Sequence, residues 1–133
     1  MENTKVKKSE DEWKKILTSE EYKVLRKKGT EPPFYGKYVH QTAEGTYVCA
    51  GCGNLLFSSE AKFDSGSGWP SFSAAVTSDA VVLKPDNSLF MKRTEVICAQ
   101  CGGHLGHVFD DGPPSTGRRY CMNSVSLRFV EKK

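Results

Sequence analysis

The chain has 133 residues and carries 19 basic against 16 acidic side chains, a net charge of +3. That length suits one domain that gains from a metal staple, and so weak and mixed a charge argues against nucleic-acid or membrane-surface binding. No apolar run approaches a membrane span and the N-terminus is charged rather than signal-like, so the cytoplasm is the expected location.

Residues 1–8 are polar and basic with little to bury. They are expected to be disordered, leaving 9–133 as a single domain. Ser9 and Glu12 have the spacing of a capping box, which predicts a short helix with Trp13, Ile16 and Leu17 on one face. Thr18 and Glu21 repeat the pattern. A second helix carries Tyr22, Leu25 and Arg26 toward a stop at Gly29, and Pro32-Pro33 blocks further helix.

From about residue 35 the pattern changes to short runs of aromatic, aliphatic and β-branched residues split by turns. Strands are expected at 35–39, 46–49, 55–57, 81–83, 89–91, 94–97, 105–109, 120–122 and 125–130. Lys84-Pro85-Asp86-Asn87-Ser88 reads as the turn of a hairpin. In the last run Val125, Leu127 and Phe129 alternate with Ser126 and Arg128, as in a half-buried strand. The fold class is mainly β (α+β), with antiparallel sheets and a short N-terminal helical layer.

Four of the five cysteines form two pairs, Cys49-Ala50-Gly51-Cys52 and Cys98-Ala99-Gln100-Cys101, each followed by glycine. Two thiolates in a tight turn can face one ion, and two such turns complete a closed tetrahedral zinc site. Without a secretory signal, these cysteines read as metal ligands in a reducing compartment rather than disulfides. Two matching glycine-flanked pairs also fit a metal better than a redox dithiol. One zinc per chain, structural and with no open position, is the expectation.

The fifth cysteine, Cys121, then has no sulfur partner. It lies in Arg118-Arg119-Tyr120-Cys121-Met122-Asn123-Ser124, where nearby positive charge favours the thiolate, the nucleophilic form. The competing assignment is a small residue filling a strand. His104 and His107 follow the second knuckle and are candidates for acid–base chemistry beside Cys121, or for spare metal ligands. His40 stands alone and reads as a surface or packing residue. Asp64-Ser65-Gly66-Ser67-Gly68-Trp69-Pro70-Ser71-Phe72 makes a mobile loop ending in a large flat ring, either core or the wall of a pocket for a small apolar group.

Taken together, these stretches resemble the methionine sulfoxide reductase B family, over about residues 13–129. The resemblance rests on Lys28-Gly29-Thr30-Glu31, Tyr47-Val48-Cys49-Ala50-Gly51-Cys52, Gly68-Trp69-Pro70-Ser71-Phe72, His104-Leu105-Gly106-His107-Val108-Phe109 and Arg119-Tyr120-Cys121-Met122-Asn123-Ser124. It implies a fold of the Mss4-like, β-tent type and reduction of the R epimer of protein-bound methionine sulfoxide. By that resemblance Cys121 attacks the sulfoxide sulfur and is left as a sulfenic acid, while His107, with Asp111 and His104, supplies or relays protons. Asn123 fixes the site, Arg119 favours the thiolate, Trp69 holds the substrate methyl group, and Cys49, Cys52, Cys98 and Cys101 bind zinc. The implied partners are oxidised proteins or peptides, with thioredoxin or a small thiol as reductant, and the chain is expected to be a monomer.

At one position the chain departs from the pattern. Many members carry a resolving cysteine in the loop before Trp69, and here that position is Ser67. A different class of function, a zinc-stapled β module that binds a ligand with Trp69 as a cage wall, would fit the same fold. It gives no reason for Cys121 to stand with His104, His107 and Asn123.

Overall fold

The computed structural model describes residues 8–86, 93–114 and 116–132. Apart from Lys8, the N-terminal segment expected to be disordered lies outside the described residues, as does the strand expected at 89–91. Both capping boxes form. Ser9 and Glu12 exchange backbone and side-chain bonds at the start of α1 (Glu10–Ile16), as do Thr18 and Glu21 at α2 (Ser19–Leu25). Each cap is worth about 1 kcal/mol.

Trp13 of α1 and Leu17, its C-cap, are buried, but Ile16 is exposed, so the apolar face is narrower than its spacing suggests. α2 ends at Leu25, short of Gly29. The left-handed residue after it is Lys28 (φ 60°), and Gly29 donates its backbone N–H to Lys23 O at 2.9 Å.

Nine strands are found among the described residues, all paired antiparallel. β1 (Gly45–Cys49), β2 (Leu55–Ser58) and β9 (Leu127–Glu131) form one sheet in the order β2-β1-β9. The second sheet runs β3-β4-β8-β7-β6-β5, from β3 (Lys62–Phe63), β4 (Ser71–Phe72), β5 (Val81–Asp86), β6 (Arg93–Cys98), β7 (His104–Phe109) and β8 (Arg119–Met122). This is the mainly β architecture with a short helical layer that the sequence predicts.

Aromatic rings from both sheets form the core. Tyr47 of β1 and Phe57 of β2 meet Phe72 of β4 at centroid distances of 5.1 and 4.4 Å, and Tyr120 of β8 joins Phe57 at 5.9 Å. Such pairs add roughly 0.5–1.5 kcal/mol each beyond the area they bury.

Three expected elements differ. Residues 35–39 make turns rather than a strand, with Val39 N–H donating to Gly36 O. Tyr38 and Val39 are buried as core plugs, which explains their apolar character without strand pairing. Residues 84–86 continue β5 instead of turning, in register with Arg93, Thr94 and Glu95. Among the described residues β5 is the edge of its sheet, the position where a proline, which has no N–H to give a ladder, is tolerated. Finally, Ser124–Ser126 is a 3-10 turn by which the chain passes from β8 to β9. Ser126 is buried there and its hydroxyl donates to His104 O.

Candidate active site

Cys121 sits on β8 between two paired neighbours, Ser71 on β4 and His107 on β7. Directly opposed residues of antiparallel strands share a face, so the ladder itself brings thiol and imidazole together. Gly106 makes the approach of β7 to β8 feasible, since a Cβ there would lie 2.0 Å from the Cys121 carbonyl oxygen. The thiol is nearly buried, and three polar groups surround its Sγ: Arg119 Nη1 at 2.7 Å, Ser67 Oγ at 3.4 Å and Ser71 Oγ at 3.6 Å.

Arg119, two residues along β8, faces the same way and is held in place. Asp111 accepts from its Nε at 2.8 Å and its Nη2 at 3.1 Å, and its guanidinium lies 4.5 Å over the Phe109 ring. This pairing keeps the Asp111 carboxyl below its ordinary value and raises Arg119. The fork thus holds Arg119 Nη1 as a fixed donor to the Cys121 sulfur.

Cys121 opens into a cavity of about 280 Å³ lined by Trp69, His107, Phe109, Arg119 and Asn123 among others. A cavity of about 400 Å³ lies elsewhere, over Gly36, Ser124 and Arg128, but its lining holds neither a thiol nor an imidazole. Chemistry rather than volume distinguishes the two.

Trp69 is only partly buried and donates its Nε1–H to Glu31 O at 2.9 Å. Its loop is tied by Ser65 Oγ, 2.7 Å from both Ser67 Oγ and Ser71 Oγ. Gly68 (φ 94°) leaves room for Pro33, whose Cβ would lie 2.6 Å from an added Cβ. Asn123 is buried, accepting from Glu31 N–H at 3.0 Å and donating from Nδ2 to Leu105 O at 3.1 Å. The Glu31 carboxyl accepts from Val125 N–H, and burial raises it above its ordinary value.

Each histidine of the pair on β7 meets a buried carboxylate. His107 Nε2 is 2.8 Å from Asp86 Oδ2, and His104 Nδ1 is 2.7 Å from Glu95 Oε2. Cations counter both acids, Arg93 at 3.6 Å from Asp86 and Lys28 at 3.3 Å from Glu95. Burial holds the His107 ring below its ordinary value, while the bond to Asp86 pulls it back up.

Five of the residues singled out in the sequence thus line one cavity: Cys121, His107, Asn123, Arg119 and Trp69. Asp111 lies outside that lining and is bonded to Arg119, and His104 is wholly buried, its ring centroid 5.4 Å from that of His107. His40 is exposed, as expected. Sequence reasoning overlooked Glu31, Ser71, Asp86, Arg93 and Glu95 as site residues. Glu31 and Ser71 fell inside noted motifs, but no local signal marked the other three.

The sulfurs of Cys49, Cys52, Cys98 and Cys101 all lie within 4.8 Å of one another. Cys49 and Cys101 are 3.7 Å apart and Cys52 and Cys98 3.5 Å. An ion bound tetrahedrally at about 2.3 Å from sulfur needs edges of about 3.8 Å, so the cluster has the dimensions to hold one. Bonding from Cys101 favours the Cys98 thiolate and pushes the Cys49 thiol up. The Asn54 amide, 3.7 Å from Cys98 Sγ, supports the cluster from outside.

The family model described as the SelR domain matches residues 17–131. Among curated relatives, the peptide methionine sulfoxide reductase MsrB of Methanosarcina mazei is 57% identical over the whole chain and 95% of its own length. The protein of the same name from Leptospira interrogans is 56% identical over 98% of the chain and 99% of its own length. The mouse mitochondrial methionine-R-sulfoxide reductase B3 is 52% identical over 96% of the chain, which spans 51% of that longer protein. A domain match of this extent, together with a free thiol, an arginine and a histidine in one cavity, places the chain in the methionine sulfoxide reductase B family.

Proposed function

We propose that this protein reduces the R epimer of methionine sulfoxide in oxidised proteins or peptides, with Cys121 as nucleophile. The observation that carries the reading is Cys121 Sγ, 2.7 Å from a clamped guanidinium and in one cavity with His107 and Trp69. The thiolate attacks the sulfoxide sulfur while the oxygen, a poor leaving group until protonated, takes a proton from His107. Two electrons pass from the cysteine sulfur to the methionine sulfur. The sulfur–oxygen bond breaks with loss of water, and water then cleaves the sulfur–sulfur bond formed by the attack, which returns a proton, leaves Cys121 as a sulfenic acid and releases methionine.

Trp69 would hold the terminal methyl group, and Arg119 and Asn123 would fix the thiolate and its strand. The four-cysteine cluster would hold one zinc ion as a structural staple with no part in turnover. Five free cysteines suit a reducing compartment, and we place the protein in the cytoplasm as a monomer. The test is turnover of the two separated epimers with dithiothreitol. Reduction of the R epimer alone is expected, and a preference for the S epimer would refute the reading.

Regeneration follows from Ser67. Its hydroxyl is 3.4 Å from Cys121 Sγ, but serine cannot form a disulfide. The sulfenic acid would then persist until thioredoxin or a small thiol reaches it. One equivalent of substrate without reductant should leave Cys121 trappable by dimedone. Ser67→Cys should convert that product to a disulfide between positions 67 and 121 and improve turnover with thioredoxin. The sulfurs must close to about 2.05 Å, and Gly66, with open space where a Cβ would be, gives the loop that freedom. Mass spectrometry decides the matter. A wild-type disulfide from Cys121 to one of the four clustered cysteines would refute the one-thiol route.

A further inference from the structure

Two buried carboxylates back the two histidines, but only one of these pairs reaches the cavity. Glu95 and His104 are both almost wholly buried, and His104 does not line the cavity. Asp86 is equally buried, yet its Oδ2 lies 2.8 Å from Nε2 of His107, which does. Burying a carboxylate is costly unless it is paired and hydrogen-bonded. Among the described residues, His107 and Arg93, its partner in the β5–β6 register, contribute to that compensation.

We propose that Asp86 is a positioning residue for His107: its carboxylate takes the Nε2–H, leaving Nδ1 as the ring atom that exchanges protons with the bound sulfoxide. This rests on the reductase reading above. In the step, protonated His107 gives its Nδ1 proton to the sulfoxide oxygen and becomes the neutral Nε2–H tautomer, while Asp86 stays ionised throughout. The carboxylate thus fixes the tautomer and the ring orientation, and stabilises the charged form that acts as the acid.

Among the described residues, the charged and titratable groups about His107 are Asp86 from β5, Arg93 and Glu95 from β6, His104 from its own strand, and Arg119 and Cys121 from β8. Burial, Arg93 and His104 disfavour the imidazolium, and the bond to Asp86 favours it. Loss of Asp86 therefore lowers the pH at which the acid is titrated away.

The wild-type protein supplies the first test. Nitrogen-15 shifts of His107 above its titration should report the Nε2–H tautomer, and finding Nδ1–H would overturn the proposal. Asp86→Asn supplies the second. Single-turnover methionine release should fall by roughly 10²–10⁴-fold, toward the level of His107→Ala. Its alkaline decline should move down by roughly one pH unit or more. Alkylation of Cys121 by iodoacetamide should not change, and Asp86→Glu should recover part of the rate. A merely structural role would lower the melting temperature without moving the tautomer or the pH limb. A folded Asp86→Asn with the wild-type pH profile refutes the proposal while a dead Cys121→Ser leaves the reductase reading intact. Methionine release by Cys121→Ser would instead bring down that reading.

Discussion

Cys121→Ser is expected to abolish reduction of the R epimer. Serine is nearly isosteric with cysteine and can keep the contacts with Ser67, Ser71 and Arg119, so fold and cavity should survive. What disappears is the accessible thiolate: a hydroxyl gives up its proton far too reluctantly to attack a sulfoxide near neutral pH. Substrate binding should therefore persist while release of methionine stops. The measurement is a single turnover with enzyme in excess, scored by chromatography of free methionine, beside a binding titration. Measurable release by the serine variant would remove Cys121 from the chemistry, and loss of binding with intact folding would give it a structural part instead.

Removing the metal should be as drastic, through stability. Cys49 ends β1 of the three-stranded sheet and Cys98 ends β6 of the six-stranded one, so one ion would join the two sheets. The helical layer rests on the same corner: Arg26 donates to Cys101 O at 3.0 Å and lies 4.8 Å over the Trp13 ring. Zinc held by thiolates contributes about 10–16 kcal/mol of apparent binding free energy in small domains, against about 5–15 kcal/mol for the whole stability of a typical protein. The first figure matches or exceeds the second, so chelation should unfold the chain rather than soften it. One zinc per chain by elemental analysis, and joint loss of melting temperature and activity on chelation with recovery on adding zinc, are the expected results. A metal-free protein with native stability and full activity would show that the four cysteines do something else.

What the sequence disclosed was local. Capping boxes span three residues and the knuckles are Cys-x-x-Cys, so composition at short spacing declares them. Cys121 stood out because the metal pattern left it over. Asp86 was hidden for a physical reason: Pro85-Asp86-Asn87-Ser88 has turn composition, and Pro85 sits in a strand that is a sheet edge among the described residues, where proline is tolerated. Its partner is His107, 21 residues away, and no short-range pattern reports such a contact. The same holds for Glu31 and Asn123, 92 residues apart. Residues 35–39 turn instead of pairing because aromatic and β-branched character marks burial as well as strand pairing: Tyr38 and Val39 are buried without a ladder, while Tyr35 stays exposed.

Glu31 also bears on where this domain can be trimmed. Its N–H meets Asn123, its carbonyl meets Trp69 and its carboxyl meets Val125, so one residue fastens the aromatic wall, the end of β8 and the crossover to β9. A shortened chain beginning at β1 would keep both sheets, all four clustered cysteines and Cys121 with its arginine. It would still lose the peptide that holds Trp69 and Asn123. The segment between the helices and the first strand, which resembles a plain connector, is therefore the keystone of the cavity, and the minimal working unit begins upstream of the first strand.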